Sequence, residues 1–207
     1  MLARSLQPAP LPGFEHINRY WDRHHTCWAA KLLPGEFYVT TEPDEIICTT
    51  LGSCVSACIR DPQAGVAGMN HFMLPSSSED NPSWMNMATR FGSAAMEYLI
   101  NEMLKQGASR ETMEVKLVGG GRIIRSLYDV GLRNIDFVLE YARLEGLNVL
   151  AKDLGDIYPR KVVFHPDSGS MRVKRLRSLH NDTLIQREQH YVAELETQPV
   201  AGDVELF

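Results

Sequence analysis

From Phe37 onward the chain falls into short runs rich in β-branched and aromatic residues, separated by Pro, Gly and Asp, and this rhythm is what most constrains the fold. "FYVTT", "EIICTT", "VSACIR", "VAGMNHFML", "EVKLVGGG", "LNVLAKDLG" and "RKVVFHP" each have strand length and strand composition. "DPQAG" supplies turn chemistry between the third and fourth runs, and "GSMRVKRL" returns from the last one, so two hairpins are expected. Two other stretches carry helical spacing. Phe91, Ala95, Tyr98 and Leu99 fall on one face and stop at Gly107, whereas Ile135, Val138, Leu139 and Ala142 follow a cap at Asn134 and stop at Gly146. Strands and helices mixed along one chain define an α/β domain.

With 207 residues and 44% hydrophobic content, the chain can bury one substantial core. The expected organisation is an N-terminal extension over residues 1–34, a core domain over 35–177, and a tail over 178–207. The extension holds a proline cluster and the polar aromatic stretch "INRYWDRHHTCW", in which neither period is sustained. In the tail, Thr183 and Gln186 have the capping-box form and "LIQREQHYVAEL" reads as a short helix. "SSSEDNPSW" (Ser76 to Trp84) reads as a loop.

Lys and Arg total 21 against 26 Asp and Glu, a formal charge of −5, which gives no electrostatic reason to bind a phosphate backbone. No stretch approaches the roughly 20 apolar residues of a membrane span, and the first residues lack a secretory h-region. A cytoplasmic protein is expected, with no nucleic-acid partner and no membrane insertion. Its four cysteines, Cys27, Cys48, Cys54 and Cys58, are then free thiols.

Cys54 and His71 are the best nucleophile and base, because a thiol near neutrality needs an imidazole to favour its thiolate. The hairpin would place them on neighbouring strands. Gly52 and Ser53 permit a tight turn whose N–H groups can stabilise an oxyanion. The competing reading is packing, since free cysteine is among the most buried residue types. A zinc site on Cys48, Cys54, Cys58 and His71 is disfavoured by spacing, because only one close cysteine pair exists. "LVGGGRII" lacks the Gly-Lys-Ser/Thr ending of a P-loop and fails the G-x-G-x-x-G pattern, which leaves a tight turn or close backbone packing.

The stretch "LGSCVSACIRDPQAGVAGMNHFMLP" (Leu51 to Pro75) resembles the signature of the CheD family, the chemoreceptor glutamine deamidases of bacterial chemotaxis. "LVGGGRII", "VGLRNIDFVLEYARLEGLNVLAKDLG" and "RKVVFHPDSGSMRVKRL" extend the resemblance over Gly35 to Leu176. It implies a single-domain layered sandwich of β-sheet with flanking helices. It also implies that Cys54 attacks the carboxamide of a receptor glutamine, that His71 moves the protons, and that a glutamyl thioester is hydrolysed to glutamate with no cofactor and no metal. The expected partners are cytoplasmic receptor helices, met in an open groove, and a CheC-type phosphatase. Cys58 is expected to pack.

Two positions depart from the family pattern. Its threonine six residues before the cysteine is Cys48 here, so Thr50 takes the role if the strand is regular, or Thr49 if a bulge shifts the register. Asp156 stands where a second glycine is expected ahead of the family arginine, which matches Arg160. A non-catalytic adaptor that binds receptors or a CheC-type phosphatase is the alternative function.

Overall fold

The computed structural model describes residues 6–75, 82–123, 130–177 and 182–197. Two five-stranded sheets form the body of the molecule. The first has the order β1-β2-β4-β9-β10, built from β1 (Asn18–Asp22), β2 (Cys27–Lys31), β4 (Glu45–Leu51), β9 (Arg160–His165) and β10 (Ser170–Arg175). The second has the order β3-β6-β5-β7-β8, built from β3 (Phe37–Thr40), β6 (Val66–Asn70), β5 (Val55–Asp61), β7 (Glu114–Gly119) and β8 (Asn148–Leu154). Helices α1 (Pro82–Lys105) and α2 (Val130–Leu144) pack on the second sheet, and α3 (Asp182–Thr197) follows the last strand. The fold class is therefore α/β, a layered sandwich with flanking helices.

The "DPQAG" hairpin forms as its residues dictate. The Asp61 carboxylate accepts from the N–H groups of Gln63 (2.9 Å) and Ala64 (3.1 Å), and Gly65 closes the turn with φ 66°. β5 and β6 then pair antiparallel with Ile59 opposite Gly68 and Cys58 opposite Met69. Alternation sorts the two faces of this hairpin. The Ile59 and Gly68 face meets α1, where a Cβ on Gly68 would lie 2.6 Å from the Leu99 side chain. The opposite face, with Cys54, Cys58 and Met69, looks into the space between the sheets.

The boundary expected at residue 34 does not hold. β1 and β2 lie before it and extend the first sheet, β2 pairing parallel to β4 from Trp28 opposite Glu45 to Lys31 opposite Cys48. Phe14 and Ile17 are buried in the main core. A buried ion pair fixes this segment: Arg19 Nε donates to Glu45 Oε1 at 2.7 Å, while Tyr38 Oη and Thr40 Oγ1 donate to Glu45 Oε2 at 2.8 and 3.0 Å. The sequence concealed these strands because their tight connection carries no glycine. Thr26 takes the left-handed conformation itself, with φ 54°.

Smaller differences follow from local chemistry. α1 begins at Pro82, inside the stretch expected as loop, and proline suits a first helical turn, where its missing N–H has no partner to lose. The rest of that loop, 76–81, lies outside the described residues. Asn134 is not a cap but an interior residue of α2, fully buried. Asp156 adopts φ 67°, so it stands in a conformation that glycine enters without strain, and Arg122 N–H donates to its carbonyl at 2.8 Å. The family arginine, Arg160, is buried, with Nε 3.1 Å from Asp153 Oδ1 and Nη1 donating to the Tyr158 carbonyl.

Candidate active site

The turn Gly52-Ser53-Cys54 carries the chain from the first sheet into the second. Its three carbonyls are all held from behind. Gly121 N–H donates to Gly52 O and Gly120 N–H to Cys54 O, each at 2.8 Å, and Asn134 Nδ2 donates to Ser53 O, also at 2.8 Å. The same Asn134 accepts from Leu74 N–H through Oδ1 at 2.9 Å, so α2 ties the cysteine turn to the segment just after His71. This is what the glycine run does: a Cβ on Gly119 would lie 2.2 Å from Cys54 O, and one on Gly121 would lie 2.9 Å from Gly52 O. With its carbonyls engaged by the scaffold, the turn presents its N–H groups to the opposite side.

Val55 pairs with Phe72 through reciprocal N–H to O bonds of 3.0 Å, which continues the β5–β6 register past Asn70. Cys54 and His71 therefore fall on the same face of adjoining strands as diagonal neighbours, the juxtaposition the hairpin predicted. Both are fully buried, and no hydrogen bond joins them among the described residues.

Thr49, from β4 across the inter-sheet space, completes the arrangement. Its Oγ1 donates to Leu32 O at 2.8 Å and lies 2.8 Å from His71 Nδ1. A hydroxyl has one proton, and here Leu32 takes it, so the Nδ1–H of His71 must donate to Thr49. The imidazole is thereby assigned the tautomer with a bare Nε2, and that nitrogen is buried without a partner. Burial first, and then the charge of Arg187, hold His71 down to about 3, against the opposing pull of the Leu32 carbonyl.

Thr50 does not take part. β4 pairs with β9 in unbroken register from Ile47 opposite Phe164 to Leu51 opposite Arg160, so no bulge shifts it. Cys48 packs with Ala29, Ile46 and Val163 on the outer face of the first sheet, and Thr50 shares that face beside a surface cleft with Lys31 and Lys161. The expectation that Thr50 and Cys54 share a face fails because the Gly52-Ser53 turn changes sheets between them, and strand parity does not survive such a turn. The same geometry separates Cys48 from Cys54, Cys58 and His71. Among the described residues no group of His, Cys, Asp and Glu side chains is placed to hold a metal. Cys58 lies in the main core, its thiol pushed up by burial.

The N–H side of the cysteine turn is not open. Glu188 of α3 enters it: Oε1 accepts from Gly52 N–H at 2.7 Å, and Oε2 accepts from Ser53 N–H at 2.9 Å and from Ser53 Oγ at 2.6 Å. Burial, followed by the charge of Glu188 and a hydrogen bond with it, pushes the Cys54 thiol well above its ordinary range, and Arg187 opposes this in part. Where the sequence led us to expect an open groove, the thiol is covered by α3. Glu188 carries a sequence signal that the reading missed. Leu184, Glu188, Tyr191 and Leu195 follow a four-three-four spacing, so one acidic residue sits in an otherwise apolar helical stripe.

Fold and site together define an α/β sandwich protein that keeps a thiol, an imidazole and a hydroxyl at the junction of its two sheets, beside a turn whose N–H groups face the same site. Comparison with known proteins places it further. The family model described as CheD chemotactic sensory transduction matches residues 73–175. The chain is 55% identical over 204 residues to a protein of Halorhodospira halophila named probable chemoreceptor glutamine deamidase CheD, covering 97% of this chain and 94% of that one. Proteins of the same name from Hahella chejuensis and Herminiimonas arsenicoxydans are 48% identical over 204 residues and 52% identical over 197, covering 97% and 93% of this chain and 96% and 97% of their own. The chain belongs to the CheD family.

Proposed function

We propose that this protein hydrolyses specific glutamine side chains on the cytoplasmic helices of chemoreceptors, leaving glutamate and ammonia. The observation that supports the reading most is that Cys54 and His71 share one face of adjoining strands, His71 with a bare Nε2, while the N–H groups of Gly52 and Ser53 belong to the turn that leads into Cys54. In the reaction, His71 Nε2 takes the proton of the Cys54 thiol as Sγ attacks the glutamine Cδ. The carbonyl oxygen becomes an oxyanion facing the Gly52 and Ser53 N–H groups, which are fixed in advance because the carbonyls of Gly52, Ser53 and Cys54 are held by Gly121, Asn134 and Gly120 in turn. The Cδ–N bond breaks and ammonia leaves with the proton from His71. Water, deprotonated by His71, then cleaves the thioester to give glutamate and the free thiol.

Thr49 is a positioning residue in this scheme, keeping the proton on Nδ1 so that Nε2 can accept. No cofactor takes part. The product carboxylate changes the receptor's local charge and makes that position eligible for methylation, and the work is done in the cytoplasm. A CheC-type phosphatase is a second proposed partner. The alternative, an adaptor without turnover, draws on one observation, the complete burial of Cys54. Incubating purified protein with a receptor cytoplasmic fragment and measuring ammonia, with site-resolved mass spectrometry of the fragment, separates the two. Stoichiometric ammonia and glutamine-to-glutamate conversion support the deamidase, and binding without conversion supports the adaptor.

A further inference from the structure

The contacts of α3 have the form of an occupied substrate site. Glu188 is fully buried at the centre of a helical face, and a carboxylate there costs free energy unless its oxygens are matched. They are matched by the N–H groups that the deamidation scheme assigns to the oxyanion, together with the Ser53 hydroxyl. The flanking contacts run along a groove. Leu184 and Leu195 are buried on either side, Arg187 Nη2 donates to Thr50 O at 2.9 Å, and Tyr191 enters an apolar cleft lined by Phe37, His71, Phe72, Phe91 and Tyr98. The Tyr191 hydroxyl end reaches Gly35, where a Cβ would lie 2.7 Å away.

We propose that α3 is a tethered product mimic: it lies in the groove meant for the substrate helix, with Glu188 in the place of the newly formed glutamate, and the enzyme stays self-inhibited until a receptor helix displaces it. The proposal rests on the deamidase reading. It also specifies the substrate: a helix presenting glutamine with apolar residues four before, three after and seven after, the pattern that Leu184, Tyr191 and Leu195 make around Glu188. A tethered helix competes at an effective concentration of roughly millimolar, enough to suppress access by about tenfold or more.

The test uses full-length variants. In Glu188→Ala, alkylation of Cys54 by iodoacetamide and conversion of receptor glutamines should both accelerate by about tenfold or more. Cys58 is the internal control, because release of α3 exposes Cys54 alone, whereas general unfolding exposes both thiols. In Glu188→Gln, α3 itself becomes a substrate: Sγ bonds to Cδ, ammonia leaves and water restores the acid. The introduced glutamine should revert to glutamate with a gain of about one dalton, and Cys54→Ala in the same chain should abolish that reversion. Equal receptor conversion by wild type and Glu188→Ala overturns the self-inhibition and leaves the deamidase reading standing. An introduced glutamine that persists in a Glu188→Gln chain converting receptor glutamines overturns the mimicry. Selective alkylation of Cys54 in Glu188→Ala, with no receptor conversion by either protein, overturns the deamidase reading and the mimic with it.

Discussion

Thr49→Val tests the inner arrangement of the site, because it removes the hydroxyl and little else. Two buried polar groups lose their partner: the Leu32 carbonyl, which accepts at 2.8 Å, and His71 Nδ1–H, which donates over 2.8 Å. Leaving a buried donor or acceptor unmatched costs about 1–3 kcal/mol, so the variant should lose about 2–4 kcal/mol in urea denaturation. The kinetic loss should exceed what reduced folding explains, because the imidazole is no longer held with its proton on Nδ1 and a small misplacement of a catalytic group is costly. Measured under conditions where the variant is fully folded, conversion of receptor glutamines should fall by roughly ten- to a hundredfold. Thr49→Ser, which keeps the hydroxyl, should recover most of it. Thr50→Val, on the outer face of the same strand, should match wild type in both assays. A Thr49→Val protein within about 0.5 kcal/mol of wild type, or a Thr50→Val protein as impaired as Thr49→Val, would refute the assignment.

Other consequences are as direct. Asn134→Ala leaves Ser53 O and Leu74 N–H unmatched in the interior and should cost about 2–5 kcal/mol by chemical denaturation, with loss of activity in what remains folded. Arg19→Ala strands a buried Glu45 and should cost about 3–5 kcal/mol, whereas a true N-terminal extension would tolerate the change. Gly119→Ala meets the Cys54 carbonyl at a positive φ of 120° and should cost about 3 kcal/mol or more, read as a lowered Tm. His71 titrates near 6.5 when unfolded and at about 3 when folded, so between those values the unfolded chain binds the extra proton and stability falls with acidification, by about 1.4 kcal/mol for each pH unit. His71→Gln should flatten that slope, and an unchanged slope would contradict the burial of a neutral imidazole.

Much of this was legible in the residues. The strands from Phe37 onward announce themselves through β-branched runs, and "DPQAG" has the turn chemistry needed to set Cys54 and His71 on one face. The threonine was harder to place, because strand parity is a local rule and the chain changes sheets at Gly52-Ser53. β1 and β2 show no clean alternation, because β1 is an edge strand half-buried along its length and β2, inside the sheet, is buried on both faces, and the left-handed turn between them is made by Thr26 without a glycine. Asn134 looked like a cap because side-chain chemistry at a helix end and in a buried bridge is the same, and only the fold decides which backbone groups it meets. Asp156 shows the reverse case: it stands where a glycine is expected and itself takes a positive φ of 67°, a conformation that glycine enters freely. Glu188 carried a signal in its apolar stripe, yet a helix near the end of a chain reads equally well as a mobile tail. The terminal peptide Val204-Glu205-Leu206-Phe207 lies outside the described residues.

The most direct measurement is site-resolved mass spectrometry of a receptor cytoplasmic fragment after incubation with wild-type protein and with Cys54→Ala. Glutamine should become glutamate at defined positions with wild type, and not at all with Cys54→Ala. Conversion that survives the loss of the Cys54 thiol would contradict the assignment of Cys54 as the nucleophile.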